Sequence, residues 1–190
     1  GSNWLTALRF AIVSIVLAGL VFPLVTAGVG QVLFPAQAGG SLIIRDGVVV
    51  GSRLVAQPFA DARYFQPRPS AAGYDPRALA GSNWAPSNPA LRERIAATSA
   101  AIAEREGVAA DTIPSDLVTA SGSGIDPHIS PEAARIQVVR VARVRGLQPA
   151  QVQSLVDATT LPPTFGVLGQ ARVNVLELNL ALDASAGPNR

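Results

Sequence analysis

One short segment of the chain contains the residue types of a hydrolytic active site. Ser121, Ser123, Asp126 and His128 follow one another closely in sequence. Serine, histidine and aspartate act together as nucleophile, base and orienting acid in many hydrolases, but they converge there from separate parts of a fold. The Gly-x-Ser-x-Gly elbow of such enzymes is also missing, because Thr119 and Ala120 precede Ser121. A Ser/His/Asp hydrolase is therefore the least favoured functional alternative.

The glycines around these serines raise a second possibility, a backbone cradle for phosphate. The Gly81 to Pro89 segment could form a similar loop. Gly, Ser, Asn and Pro are also the ordinary residues of turns that lead into a capped helix, and we favour that simpler interpretation. The chain has no Lys, no Cys and one His, which excludes a Walker lysine, a thiol nucleophile and a multi-histidine metal site. We expect no catalytic residue, no metal and no cofactor bound by this chain.

The position of these groups depends on a long apolar stretch near the start of the chain. Phe10 to Phe34 contains no charged side chain. About 20 apolar residues span a bilayer, so residues 1–34 are predicted to be a membrane anchor, kinked at Pro23. A cleavable signal peptide, cut after Ala36-Gln37-Ala38, and a buried helix of a soluble core are the alternatives. The small residues of the span are expected to pack against other membrane helices, and these are Ala18, Gly19, Ala27 and Gly28.

The charges that flank this span predict its orientation. Arg9 precedes it, and the next basic residue is Arg45. The positive-inside rule then places the amino terminus in the cytoplasm and the rest of the chain outside it. Net charge is +2, and the arginines are interspersed with acids, so no nucleic-acid partner is expected.

Residues 35–41 are predicted to be a linker, and residues 42–190 one extracytoplasmic domain. Asp46-Gly47 between β-branched runs predicts a β-hairpin, which could extend through Leu54-Val55. Gln57 to Pro89 is rich in Pro, Gly and aromatic residues, so we expect an ordered loop system that serves as a contact surface.

Helix start signals follow these loops. Asn88-Pro89 and Ser130-Pro131 each pair an N-cap residue with proline, predicting helices that end at Gly107 and Gly146. In the second of these helices, Ala134, Val138, Val141 and Val144 form the expected buried stripe.

Two further elements complete the predicted domain. Pro149 opens a helix that ends before Pro162, and a strand at 171–173 is expected to lead into a last helix. The predicted fold class is α+β, with a single transmembrane helix and a compact domain of one hairpin and three to four helices.

Taken together, these residues resemble a known family, the C subunit of the bacterial Kdp potassium-importing ATPase. The most specific block runs from Asp116 to Ser130, and matching stretches include Gly81-Ser82-Asn83 and Arg172 to Asp183. The resemblance covers nearly the whole chain. Trp84 and Ile125 are departures, each standing where the family usually has Leu.

The resemblance implies an accessory subunit in the bacterial inner membrane. Its partners would be a channel-like potassium-conducting subunit, a P-type ATPase subunit and a very small membrane peptide, with ATP and potassium handled by those partners. The expected docking residues are Phe59, Tyr64, Phe65, Arg68, Ser82, Asn83, Trp84, Ser121, Ser123, Asp126 and His128. A membrane-anchored ligand-sensing domain is the alternative.

Overall fold

The computed structural model describes residues 3–185 and divides the chain into two compact units, residues 1–52 and residues 53–190. Here they are called the first and second unit. The hairpin, expected in the extracytoplasmic domain, falls in the first unit. The domain bounds 1–34, 35–41 and 42–190 stay a prediction.

The apolar stretch of the first unit forms a nearly continuous helix. It consists of α1 (Asn3–Val16), one π-helical turn (Leu17–Val21) and α2 (Phe22–Leu33). Pro23 lacks an amide hydrogen, and its ring would clash with the carbonyl of the residue four before it, so the wider π turn directly upstream relieves the conflict. The run Asn3–Leu33 is long and apolar enough to cross a membrane, and none of its residues is buried. The alternative of a buried core helix is therefore wrong.

A short connection leads from this helix to a β-hairpin. The predicted linker contains a four-residue helix, α3 (Pro35–Ala38). Strands β1 (Leu42–Arg45) and β2 (Val48–Ser52) then pair antiparallel. The turn residues Asp46 and Gly47 have φ of 52° and 77°, as an Asp-Gly hairpin turn requires. The hairpin is confirmed, but its extension through Leu54-Val55 is wrong because β2 ends at Ser52.

The second unit combines helices with a small antiparallel sheet. In chain order its elements are α4 (Pro89–Glu106), a 3-10 turn (Ala110–Thr112), α5 (Ser115–Val118), β3 (His128–Ile129), α6 (Pro131–Arg135), α7 (Val138–Arg145), α8 (Pro149–Thr159), β4 (Thr160–Leu161), β5 (Arg172–Asn174) and α9 (Val175–Ser185). The strand order is β3-β5-β4, with His128 opposite Asn174 and Thr160 opposite Val173. The model confirms an α+β architecture.

One apolar core holds this unit together. Helix α8 packs against both α7 and α9, and β5 lies beside them. The fully buried side chains include Phe65, Val141, Val152, Val173 and Leu182, so the core draws on a loop as well as on regular elements.

The predicted single helix from Ser130 to Gly146 is wrong, because α6 and α7 are separated by Ile136 and Gln137. The Gln137 side chain donates a hydrogen bond to the Ala133 carbonyl at 3.2 Å, while its own amide bonds instead to Ala134. The helical ladder is therefore interrupted at this residue. The expected stripe is confirmed at Ala134, Val138 and Val141, which are buried, and is wrong only at Val144, which is exposed.

The carboxyl-terminal prediction of a strand followed by a helix is confirmed by β5 and α9. Asn174 accepts a hydrogen bond from the Glu177 amide at 3.1 Å, as a capping residue should. The partners of β5 were not predicted, because strands of two residues leave no periodic pattern in the sequence.

Candidate docking surface

Residues 53–88 contain no helix or strand, which confirms the loop system predicted for Gln57 to Pro89 except that Pro89 begins α4. They are nevertheless fixed to a second glycine-rich segment, residues 121–125. Backbone amides of Ala56, Ser121 and Ala80 donate to Ile125, Pro69 and Ser123 at 2.8, 3.1 and 3.1 Å. The Ser70 hydroxyl donates to the Gly124 carbonyl at 2.5 Å. These bonds join the two segments into one surface, here called the loop platform.

Close packing explains two glycines of the loop platform. A Cβ on Gly124 would lie 2.6 Å from the Ala72 Cβ, and one on Gly81 would lie 2.9 Å from the Gly122 carbonyl oxygen. Gly124 also has φ of 75°, which disfavours other residues. The positions of Gly81 and Gly124 therefore follow from contact between the two segments, whereas a Cβ on Gly122 would meet nothing within 4 Å.

Asp126 organises the charged part of this surface. Its carboxylate accepts from Arg68 Nη1 and from the His128 amide, both at 3.0 Å, and the His128 ring lies 3.5 Å away. Burial raises the pKa of Asp126, but the hydrogen bonds from His128 and the charge of Arg68 outweigh burial, so the pKa lies below its ordinary value. All three side chains are partly exposed.

Asp116 plays a part that sequence analysis missed. Its carboxylate accepts from the amide of Ser130 at 2.7 Å and from the Ser130 hydroxyl at 3.1 Å, while that hydroxyl accepts from the Ala133 amide and caps α6. The carboxylate of Asp116 thus accepts from the Ser130 amide, and that of Asp126 accepts from the His128 amide, at the outer edge of β3. Within the Asp116 to Ser130 block, these two aspartates therefore serve as caps of backbone amides.

An open cleft of about 790 Å³ lies beside these caps. It is lined by Arg68, Thr112, Pro114, Ser115, Asp116, Asp126, His128, Ile129, Ser130, Glu132, Gly169, Gln170, Ala171 and Arg172. Both acidic and basic groups line it, and Arg68 is already paired with Asp126 at 3.0 Å. The cleft is of ligand size, but its charge does not favour one sign of ligand.

The expected docking residue Phe65 lies elsewhere. Its side chain is completely buried, and its backbone amide and carbonyl are both bound by the Asn179 side chain at 2.8 and 3.0 Å. Phe65 therefore belongs to the core, and its assignment to the docking surface is corrected. The helix α9 holds this part of the loop in place.

Tyr64, which precedes Phe65 in the chain, is partly exposed and belongs to a polar and aromatic cluster. Its hydroxyl donates to Asp183 at 3.2 Å, and Arg145 lies over its ring at 4.9 Å while binding the same carboxylate at 2.8 Å. Phe59 packs against the ring at 5.5 Å between centroids. The two predicted docking residues Phe59 and Tyr64 are therefore in contact with each other.

Arg140 binds the loop segment from the interior of the second unit. It is 3% exposed and pairs with the buried Glu106 at 2.8 Å. It also donates to the carbonyls of Ala62 and Tyr64 and to the Gln137 side chain. One buried ion pair thereby ties the loop segment to α4 and α7.

All but one of the remaining predicted residues lie toward the surface. Trp84 is 42% exposed and stacks on Arg94, whose guanidinium lies 4.9 Å from the ring centroid. Asn83 is exposed with φ of 48°, and Ser82 is partly exposed. Ser123 is exposed, whereas Ser121 is 2% exposed and so is not available for docking.

The geometry gives no support to a hydrolase. Between residues 3 and 185 no hydrogen bond joins Ser121 or Ser123 to His128, and the Ser123 hydroxyl accepts from the Ile125 amide instead. No group of three or more metal-ligating residues occurs in that same range.

Comparison with known proteins decides the family. The family model described as "KdpC: K+-transporting ATPase, c chain" matches residues 4–184. The chain belongs to the KdpC family. Among its relatives is the potassium-transporting ATPase KdpC subunit of Xanthomonas campestris pv. campestris (strain B100), 59% identical over 165 residues, which are 87% of this chain and 79% of the relative.

Two more distant KdpC relatives extend the match. The subunit of Shewanella putrefaciens is 55% identical over 179 residues, covering 94% of this chain and 90% of its own length. That of Myxococcus xanthus is 52% identical over 191 residues, covering 98% and 90%. KdpC membership makes this chain a subunit of a potassium-transporting ATPase, and its apolar helix fits a single-pass membrane protein.

Proposed function

We propose that this chain is a non-catalytic accessory subunit that stabilises an ATP-driven potassium import complex in the bacterial inner membrane. The observation that carries the proposal is the KdpC family match over residues 4–184. In this arrangement the apolar helix crosses the membrane with its amino terminus in the cytoplasm, and the second unit lies outside. Arg9 before the span supports this orientation.

The division of labour follows from the residues present. A P-type pump phosphorylates an aspartate that is followed by lysine, and this chain has no lysine. One span without a charged residue does not line an ion path by itself. ATP and potassium are therefore handled by the P-type ATPase subunit and the channel-like subunit, and a small membrane peptide completes the complex.

Docking through the loop platform is the specific mechanism. The platform is fixed by backbone bonds, glycine contacts and the buried Arg140, so its exposed side chains need little further ordering on binding. Trp84 is a large, partly exposed aromatic residue of the kind that dominates protein interfaces. Asp126, Arg68 and His128 add a polar rim that could shape the external potassium entrance.

Affinity purification from membranes tests this proposal. The tagged chain should recover a P-type ATPase and a channel-like subunit in fixed ratio, with potassium-dependent ATPase activity in the eluate. Trp84→Ala should weaken the interface by about 2 kcal/mol, roughly thirty-fold in affinity. Asp126→Ala should also lower recovery or transport.

Val139→Ala is the control, because Val139 is an exposed apolar residue on α7. Thermal unfolding of each variant separates loss of docking from loss of fold. Wild-type recovery and transport in both Trp84→Ala and Asp126→Ala would contradict docking through the platform. Recovery of the chain alone would contradict the accessory role.

The cleft beside β3 supports the second candidate, a ligand-sensing domain. Its volume of about 790 Å³ is within the range of small-molecule sites. This alternative requires a saturable rise in melting temperature with a small ligand, abolished by Arg68→Ala. A titration with potassium and with inorganic phosphate checks it directly.

A further inference from the structure

A projecting segment near the end of α8 has no part in the loop platform. Residues 161–169, here called the finger, leave β4 and return toward β5. Thr164 and Leu168 exchange two backbone hydrogen bonds at 2.8 and 2.9 Å, and the Gly166 amide donates to the Pro163 carbonyl at 2.9 Å. Pro162 and Pro163 restrict the backbone at its base. The finger is therefore a closed turn with a defined shape.

The tip of the finger presents apolar side chains to solvent. Phe165 is 89% exposed, Val167 79% and Leu168 59%. Phe165 also has φ of 55°, a left-handed conformation that costs a non-glycine residue roughly 1–2 kcal/mol. Contacts inside the second unit do not offset this cost, because the side chain lies almost wholly outside it. Exposed apolar groups of this kind mark interaction sites.

The finger carries no charged residue, and this indicates what kind of surface covers it. No charged residue occurs from Ala158 to Ala171. Arg172 at the base donates to the Pro162 carbonyl at 3.4 Å. Binding to an anionic bilayer surface relies on clusters of basic residues, and one arginine is not a cluster. Binding to a fluid bilayer also gains no affinity from a turn of fixed, strained shape. Binding to a protein pocket of matching shape does gain affinity from it.

The size of the tip limits its role. An aromatic side chain buries about 150–250 Å², so Phe165 with two aliphatic neighbours covers less than the roughly 800 Å² per partner of a standard interface. The finger is too small to bind alone. It suits a chain that is already held near its partner, where a single aromatic anchor improves an existing interface.

We propose that the finger inserts Phe165 into an uncharged apolar pocket on the extracytoplasmic face of another subunit of the same potassium-transporting ATPase. This inference rests on the accessory role proposed above, and it adds a contact outside the loop platform. Val167 and Leu168 would line the rim of that contact. The positive φ of Phe165 holds the ring away from its own domain for this purpose.

Site-specific photocrosslinking tests the inference. The photoreactive residue p-benzoylphenylalanine is placed at position 165 of the full chain, and the complex is purified from membranes before and after irradiation. Position 139 on α7 is the matched control, since Val139 is 62% exposed and also apolar. We expect a crosslink to one partner subunit from position 165 and none from position 139.

A second measurement uses ordinary substitutions. Phe165→Ala should release the partner at least ten-fold more readily in detergent, and Phe165→Leu should recover part of this loss. Thermal unfolding of the Phe165→Ala chain should match that of the parent, because the side chain makes almost no internal contact.

The outcomes separate the two proposals. If the complex is recovered but position 165 crosslinks to lipid, to a second copy of the chain or to nothing, the finger inference is overturned while the accessory role stands. If no partner subunit is recovered with the parent chain, both proposals are overturned.

Discussion

Gly124 combines two constraints that no other residue type satisfies. It has φ of 75°, and a Cβ would overlap Ala72 and the Ala80 carbonyl oxygen at 2.6 and 2.7 Å. Gly124→Ala should therefore destabilise the second unit by about 3 kcal/mol, because backbone atoms of two loops must separate. Denaturant unfolding of the detergent-solubilised chain, followed by Trp84 fluorescence with Trp4 replaced by Phe, measures this loss.

Gly107→Ala is the matched control for Gly124→Ala. Gly107 has φ of 70°, but nothing lies within 4 Å of the position that its Cβ would take. Only backbone strain remains, so we expect a loss of about 1 kcal/mol. Equal losses in the two variants would mean that the loops are not in tight contact at Gly124.

Single residues at the site were predictable only in part. The composition around Ser121 to His128 indicated a loop there, because Gly, Ser and Asp are rare in regular elements, and its role in docking stays a prediction. Asp116 and Arg140 were not identified as site residues, since their roles depend on Ser130, Glu106 and the loop carbonyls, which are distant in sequence. The spatial partner of a side chain cannot be read from the residues that neighbour that side chain in the sequence.

At the scale of elements, the pair Glu106–Arg140 joins α4, α7 and the loop segment. Arg140→Met should cost about 3 kcal/mol, because the buried Glu106 then loses its buried partner and keeps only the partly exposed Arg105, at 2.7 Å. Arg135→Met, which removes an exposed arginine paired with Glu132, should change stability by less than about 1 kcal/mol.

The double variant Glu106→Gln/Arg140→Met should recover part of the loss, because the buried carboxylate charge, which Arg105 alone would then have to balance, is absent. The same unfolding assay gives all four values of the cycle. A loss in Arg140→Met no larger than that in Arg135→Met would show that the pair does not hold the loops.

The helices were more predictable than the sheet. Asn88-Pro89, Gly107 and Pro149 are strong local signals, and they marked the ends of α4 and the start of α8 correctly. The break at Gln137 was missed because it comes from a side chain competing for a helical carbonyl, and the apolar pattern continues across it. Strands β3 and β4 were missed because each has only two residues.

At the scale of the whole molecule, the apolar helix has no buried residue from Asn3 to Leu33, and the proposed membrane location makes its small residues available to other helices. Ala27 and Gly28 lie in α2, and a Cβ on Gly28 would meet nothing within 4 Å. Helices in membranes approach closely at such small residues. Gly28→Leu and Ala27→Leu should weaken assembly by about 1–2 kcal/mol, roughly tenfold in affinity.

Recovery of partner subunits in mild detergent measures this effect. Val25→Leu, at an exposed apolar position of the same helix, is the control and should behave as the parent chain. Unchanged recovery in the Gly28 and Ala27 variants would place the helix contact on another face.

The caps on β3 have a consequence for the free subunit. A sheet edge with open amides can recruit a strand from a second molecule, and extended chains then grow by repeated addition. In this chain the amides of His128 and Ser130 are already occupied by the carboxylates of Asp126 and Asp116. A newly synthesised subunit that is not yet assembled into its complex is therefore protected by its own carboxylates against polymerising through that edge.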